Sequence, residues 1–387
     1  MSSYLPEILG ISPMLIFIPL LLSLLYYSLL PKPIPGIPYN RTATLTPLGD
    51  IPFILRSIST EGNDPFFFWF AKQHTVHNSP VVQVFTRLFR KPAVFVADYR
   101  EAEDVLTRRT AEFDRAQFFT DIFTGTAPHG FSIMRTDATF KAQRRLSLET
   151  MTPTFLKGVA LTKLYGSAQN LMTFWKQKAE PAGESAWNAE EDVHRAVFDG
   201  LWRVMYGTDV KVLETQLLGL QGEACIDRKD GVTIFPHVPE ARIYHAILEK
   251  IDSTGDVMQS PAPILHHRFL RTFTKLRSAY KVIDENYSQL CKDRLPVLKG
   301  APTMAPESAF DSLMLRNFEL GQKGGHMIAD DAIKDDLFAI MGAVRHPTSH
   351  THVSITDHDP GHRHNSHDHD LVPKISLPEP KHAVNLA

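Results

Sequence analysis

Cysteine is scarce: Cys225 and Cys291 are the only two in 387 residues. Two thiols cannot build a disulfide framework, and without a C-x-x-C pair there is no structural zinc site of the usual spacing. Charge of one sign is also lacking. The 41 basic side chains nearly balance 43 acidic ones, for a formal net charge of −2. That leaves no basic surplus for phosphate contacts, so no nucleic-acid partner is expected. G-x-S-x-G, H-E-x-x-H, a Walker-type loop and G-x-G-x-x-G do not occur, which lowers hydrolase, zinc-protease and nucleotide-binding alternatives. Tryptophan is rare, 4 residues against 24 phenylalanines, and the 27 prolines are spread widely. With 43% hydrophobic residues, most of the chain should build a packed core of two to three domains or one large one.

What stands out first is apolar. From Ile8 to Pro31 no residue is charged, and Met14 to Leu30 is almost wholly Leu, Ile, Phe, Tyr and Pro. A bilayer core takes about 20 apolar residues in helical rise, so residues 1–31 read as a transmembrane signal anchor. Pro13 and Pro19 lie inside it, where a membrane helix tolerates them with a kink. A cleaved secretory signal is the rival reading. It needs a basic N-terminal region, yet Glu7 is the only charged side chain before the run, which closes on Pro31-Lys32-Pro33 rather than small residues. Lys32 and Arg41 follow the span and orient the rest toward the cytosol. The cysteines are then reduced, and the glycosylation patterns at Asn40 and Asn286 unused. PKPIPGIP at 31–38 opens a Pro-rich spacer over residues 32–50 that resists helix and sheet alike.

The soluble part reads as mainly α with a small β-sheet. Val81 to Thr86 and Ala93 to Ala97 are Val- and Phe-rich runs that predict a β-hairpin. Asp98 is a fitting N-cap for a helix over Tyr99 to Arg109. Beyond Phe113 the chain is expected to be irregular through Gly125, Pro128 and Gly130, before a short basic helix from Thr139 to Thr150 carrying FKAQRR. Everything after that is helical in period: Leu161 to Lys178, Glu190 to Tyr206 and Val212 to Cys225, then Ser308 to Arg316 and Asp330 to Ala343. Phe269, Phe273, Leu276, Tyr280, Ile283, Tyr287 and Leu290 alternate steps of four and three, which fits either a coiled-coil seam or one long helix on a globular core. At Val344 the character changes. Residues 344–387 hold nine of the 18 histidines without an apolar period, and disorder is expected there.

The order of anchor, proline spacer, hairpin, helix, irregular loop, basic helix and helical series resembles a microsomal cytochrome P-450, a haem-thiolate monooxygenase, and is most similar to fungal members. PAVFVADYREAEDVL at 92–106 resembles the family's second strand and following helix. FSIMRTDATFKAQRRL at 131–146 resembles the segment leading into the helix with the W-x-x-x-R pattern. DDAIKDDLFAIMGA at 330–343 resembles the start of the long helix crossing the haem, and GLWRVMYG at 200–207 a helix end. The likeness covers about residue 32 to Ala343, so residues 51–343 are expected to be a partial domain of that fold. It implies haem, a lipophilic small-molecule substrate, electrons from an NADPH-dependent reductase on the same membrane, and an endoplasmic-reticulum location. Phe113 to Phe131 and Thr208 to His267 would shape the substrate pocket. Phe113, Phe118, Phe119, Phe123 and Phe131 suit an apolar substrate or fill a core equally well.

Three residues match the family's haem-binding positions. Arg144 stands at the arginine of W-x-x-x-R, whose guanidinium pairs with a haem propionate through two parallel donors; as residues alone, Arg144-Arg145 also reads as a solvated basic face. Phe140 replaces the tryptophan, losing the indole hydrogen bond but keeping ring bulk. Ala343 fits the first position of A-G-x-(D/E)-T-(T/S). Val344, Arg345, His346 and Pro347 follow where Gly, any residue, an acid and Thr belong, and Pro347 should end the helix. Neither E-x-x-R nor the glycine-flanked cysteine F-x-x-G-x-R-x-C follows Ala343, and neither Cys225 nor Cys291 has such surroundings. A thiolate is what pushes electron density into the iron for O–O cleavage. No catalytic residue and no metal ligand is therefore assigned, and the chain reads as C-terminally truncated or mis-spliced: Val344-Arg345 can be encoded with the start of a typical intron.

Two alternatives stand beside the monooxygenase. One is a non-catalytic, membrane-tethered remnant or interaction protein with uncovered apolar helix faces. The other makes His362, His364, His367 and His369, alternating with Asp368 and Asp370, a loose metal-binding tail.

Overall fold

The computed structural model describes residues 13–60, 65–86, 91–220, 227–229, 231–258 and 260–348. The apolar segment forms α1 (Pro13–Leu29), with Pro19 inside the helix. Its 17 residues rise about 25 Å, against roughly 30 Å of bilayer hydrocarbon. Among the described residues no helix is long and apolar enough to cross a membrane. The expected span is thus not completed by α1 itself, and residues 1–12 lie outside the described residues.

A single 3₁₀ turn, Arg41–Leu45, capped by Asn40, interrupts the irregular stretch that precedes α2 (Ile51–Thr60) and α3 (Pro65–Val76). Neither helix was expected. The hairpin was: β1 (Val81–Val84) pairs antiparallel with β2 (Ala93–Val96), Val81 opposite Val96 and Val84 opposite Ala93. Ile54, Trp69, Phe70 and Val84 form a small core there, with Phe70 stacked on Phe95 at 4.3 Å between ring centres. The Pro-rich stretch is sewn to this unit. The buried Gln83 amide accepts from Ile34 N at 2.8 Å and donates to Ile34 O and Ile37 O at 2.8 and 2.7 Å. Gly49 (φ +59°) passes so close to the strand end that a Cβ would lie 2.6 Å from Phe85 Cβ, which is why only glycine fits.

Asp98 caps α4 (Tyr99–Thr107) through Arg100 N and Glu101 N, as its position predicted. The stretch expected to be irregular contains α5 (Gln117–Phe123). Asp137 caps α6 (Ala138–Ser147), the basic helix, accepting from Phe140 N at 2.8 Å. α7 (Pro153–Phe155) passes through a π-helical turn at Leu156–Ala160 into α8 (Leu161–Ala182). α9 (Glu190–Tyr206) opens on three acids, favourable against the helix dipole, and stops at Gly207 in the left-handed conformation, φ 74°. α10 (Val212–Leu220) follows.

The all-helical expectation fails once, at β3 (Asp227–Lys229) and β4 (Val232–Ile234), antiparallel with Lys229 opposite Val232. The two residues between them in sequence are Asp230-Gly231, the dipeptide a two-residue hairpin turn favours. Then come α11 (Arg242–Met258), α12 (Pro263–Leu270), α13 (Thr274–Gly300), α14 (Ala309–Gln322) and α15 (Asp330–Thr348). The aromatic stripe is broken: Phe269 sits on α12, Phe273 caps α13 with extended backbone, and both rings are more than half exposed. From Ile283 onward the stripe packs into the globular core with α11, which excludes a coiled-coil seam. α15 runs past Ala343 and through Pro347, which was expected to end it, and stops one residue beyond at Thr348; the proline's missing N–H forfeits a bond and its ring clashes with the preceding turn. The tail beyond Thr348 lies outside the described residues.

The main core gathers α9, α11, α13, α14 and α15 around Phe310, Leu313, Ile333 and Leu337, each no more than 1% exposed. Phe174, Ala196 and Leu213 join α8, α9 and α10 in a satellite core.

Candidate functional site

α15 carries two pairs of acids with different jobs. Asp330 and Asp331 occupy its first turn, where carboxylates meet the positive end of the dipole. Asp335 and Asp336 lie a turn further on and are 4% and 1% exposed. A carboxylate is buried only when donors compensate it, and here the donors come from the loop ahead of α6. Asp335 Oδ2 accepts from His129 N at 2.9 Å, and Asp336 Oδ1 from Phe131 N at 2.8 Å. Gln143 of α6 completes the clasp, its Nε2 donating to Asp336 Oδ2 and to His129 O, both at 2.9 Å. Burial outweighs these donors and pushes Asp336 up to about 7; Asp335 is raised for the same reason.

Beside the clasp lies a second polar group with few partners. His267 of α12 is 2% exposed and meets the Tyr280 hydroxyl at 3.1 Å through Nε2, and that hydroxyl reaches Gly125 O at 3.2 Å. Burial, then the Arg271 and Lys250 charges, bring His267 down to about 4. Lys250 of α11, also 2% exposed, rests its ammonium over the Phe338 ring at 3.7 Å. Burial lowers it to about 8 against the opposing pull of Asp335.

The residues matched to the haem-binding positions are placed unevenly. Phe140 is 7% exposed, beneath the Arg115 guanidinium at 4.2 Å and beside Phe131. Arg144, one turn on, is exposed, and its side chain makes no hydrogen bond or ion pair with the described residues. Ala343 lies on α15, but its side-chain surroundings lie outside the described residues. The helix face carrying Phe140 and Arg144 reaches α15 through Gln143, which the motif reading passed over.

Cys291 of α13 is half-buried. Burial and the Asp330 charge push its thiol pKa up against the Tyr287 hydroxyl and the Lys334 charge, so it is a thiol at neutral pH. Cys225 lies outside the described residues. No cluster of three or more His, Cys, Asp or Glu side chains suited to a metal occurs among the described residues; the histidine tail at 358–370 lies outside them.

A cavity of about 430 Å³ opens between α9, α11, α13 and α15. Thr208, Val210, Ile243 and Ile247, from the stretch Thr208 to His267, are among the residues that line it. The aromatic loop expected to share it does not. Phe113, Phe119 and Phe123 are at least 37% exposed, and with Phe131 they stand outside the lining; the Phe118 side chain lies outside the described residues.

No protein-family model matches the chain. It is 30% identical over 337 residues to the cytochrome P-450 monooxygenase GME11363 of Pestalotiopsis microspora, covering 85% of this chain and 58% of that protein. To the cytochrome P-450 monooxygenase TRI13 of Fusarium sporotrichioides it is 28% identical over 317 residues, 78% and 54% of the two chains. These homologues, matched over most of the chain, support a cytochrome P-450 family. To the P-450 monooxygenase xilC of Penicillium crustosum it is 29% identical over 185 residues, 48% of this chain and 31% of that one. The chain spans about half the length of the curated P-450 relatives it matches.

The family's cofactor is haem, and the residues present suit it only in part. The exposed, unpartnered Arg144 guanidinium fits a propionate. The iron ligand does not fit: Cys291 is a protonated thiol within α13, without flanking glycines, and the Lys334 charge does not offset the burial that keeps it protonated. No catalytic step can be built through haem from these residues.

Proposed function

We propose that the chain is part of a fungal cytochrome P-450-type monooxygenase, one that inserts an oxygen atom into a lipophilic small molecule of secondary metabolism. The likeness to fungal P-450 monooxygenases over 78–85% of the chain carries this reading. Haem would take its propionate contact from Arg144 and ring packing from Phe140. Ala343 marks where the oxygen-activating segment of α15 would begin. Electrons would come from an NADPH-dependent reductase on the same membrane. The apolar run from Ile8 to Leu30, followed by Lys32 and Arg41, supports a single-pass anchor in the endoplasmic reticulum with the rest facing the cytosol.

A second reading rests on one specific observation. Without a sulfur donor of the family's kind, these 387 residues alone form a non-catalytic, membrane-tethered protein. The function of these residues is tested by co-expression with a P-450 reductase and an assay of NADPH-driven incorporation of labelled dioxygen into a lipophilic acceptor. The expected result is no incorporation above the reductase alone. Sustained turnover would overturn the non-catalytic reading and reveal an iron donor outside the glycine-flanked pattern.

A further inference from the structure

We propose that the cavity between α9, α11, α13 and α15 binds a small apolar molecule bearing one carboxylate, held by Lys250 and Tyr206. This goes beyond the monooxygenase reading and does not depend on it. The volume of about 430 Å³ falls in the range of small-ligand sites, which pair apolar walls with a few convergent polar groups. Trp202, Ile243, Ile283 and Phe338 supply the walls.

The charges at its edge are mostly spoken for. Arg294 is held by Asp311 and Glu307, Lys334 by Asp284 and Asp331, and the lining carboxylates Asp209 and Asp293 are engaged by Arg203 and Gln289. Lys250 is different. It is 2% exposed, lines the cavity, and forms no hydrogen bond or ion pair with any described residue. The ring faces of Phe338 at 3.7 Å and Tyr280 at 5.2 Å hold its ammonium in place, but an aromatic face does not fill three N–H donors. Asp335 acts on it only through space. The Tyr206 hydroxyl, on another lining side chain, is also without a hydrogen bond among the described residues. Burial raises its pKa, so it stays a donor.

Two unpartnered donors, Lys250 and Tyr206, set among apolar walls, are the complement of an oxygen anion on a hydrophobic body. A carboxylate takes charge-assisted bonds from an ammonium and a hydroxyl together. A cationic ligand would meet Lys250, and a pure hydrocarbon would leave both donors unfilled. The flat rings of Trp202 and Phe338 favour an aromatic or alicyclic body. Lys334 and Phe338 stand on the face of α15 roughly opposite Asp336, which turns toward α6. The helix therefore separates this cavity from the side carrying Phe140 and Arg144.

The test is titration calorimetry on the full chain with biphenyl-4-carboxylate and its neutral analogue biphenyl-4-methanol, the same detergent in cell and syringe. Saturable binding at one site is expected, with the carboxylate at least about tenfold tighter at neutral pH. Lys250→Met keeps the length and apolar contacts of the side chain. It should bring the two affinities to within about threefold while sparing the alcohol. Tyr206→Phe should weaken the carboxylate alone, by about three- to tenfold. Absent binding, equal affinities in the unaltered chain, or a preference that survives Lys250→Met would each overturn the proposal.

Discussion

Asp336→Asn should make the stability of the chain markedly less favoured by acid, and the effect should grow as pH falls. In the folded protein Asp336 holds its proton up to about 7, against 3.8 when exposed. The folded state therefore binds the proton more tightly. The stabilisation is fully present below the unfolded pKa and is lost as pH rises through about 7. A shift of this size is worth on the order of 4 kcal/mol. His267 works the other way. With a folded pKa of about 4 against 6.5, its contribution is present above pH 6.5 and lost as pH falls through about 4, on the order of 3 kcal/mol. The two nearly cancel between those values, so the unaltered chain should show a shallow profile. Asparagine cannot titrate, and Asp336→Asn leaves His267 unopposed. Urea unfolding of both chains at about pH 7.5 and 4.5 should show their stability difference widening on acidification by on the order of 3 kcal/mol. A difference constant across that window would mean that Asp336 is not the buried, proton-holding member of the clasp.

Gly125→Ala should be nearly as damaging at every pH. A Cβ at this position would sit 2.2 Å from His267 Cγ and 2.5 Å from Nδ1. The imidazole cannot swing aside, being 2% exposed and joined to Tyr280, whose hydroxyl also reaches Gly125 O. Overpacking a fixed ring costs about 1–3 kcal/mol, and losing the hydrogen bonds around it adds about 1 kcal/mol more. Thermal melts monitored by far-ultraviolet dichroism should show the drop. Gly255→Ala is the control, since nothing lies within 4 Å of a Cβ there; it should be neutral or slightly stabilising. Equal effects at the two glycines would refute the close packing of α12 on the loop.

Local signals in the sequence were the legible ones. The hairpin at residues 81–96, the Asp98 cap, the Ser308 start of α14 and the acidic opening of α15 each follow from neighbours in the chain. Asp230-Gly231 was equally local and was passed over because helical periods surround it. The helix α3 was hidden by its composition, since PFFFWF at 65–70 is apolar throughout and shows no polar face, and α5 by its length of seven residues, too short for a period to show.

The buried polar groups needed the fold. Lys250 falls in step with Ile243 and Ile247, and Asp336 stands next to Leu337 on a helix otherwise patterned for burial. A charge in apolar register is a signal, but which backbone N–H or ring answers it depends on residues more than a hundred positions away, such as His129 and Phe131 for α15. The residues matched to the haem-binding pattern show the converse. Arg144 and Phe140 were found by motif, and their neighbours in space are what the motif could not supply.

The central question for these residues, P-450-like in order, is whether they can ligate iron through sulfur. Carbon monoxide added to the purified, haem-reconstituted and reduced 387-residue chain answers that directly. The expected spectrum has no strongly red-shifted Soret band, since Cys291 is a protonated thiol half-buried in α13. The family's red-shifted band, at an intensity matching the bound haem, would contradict it.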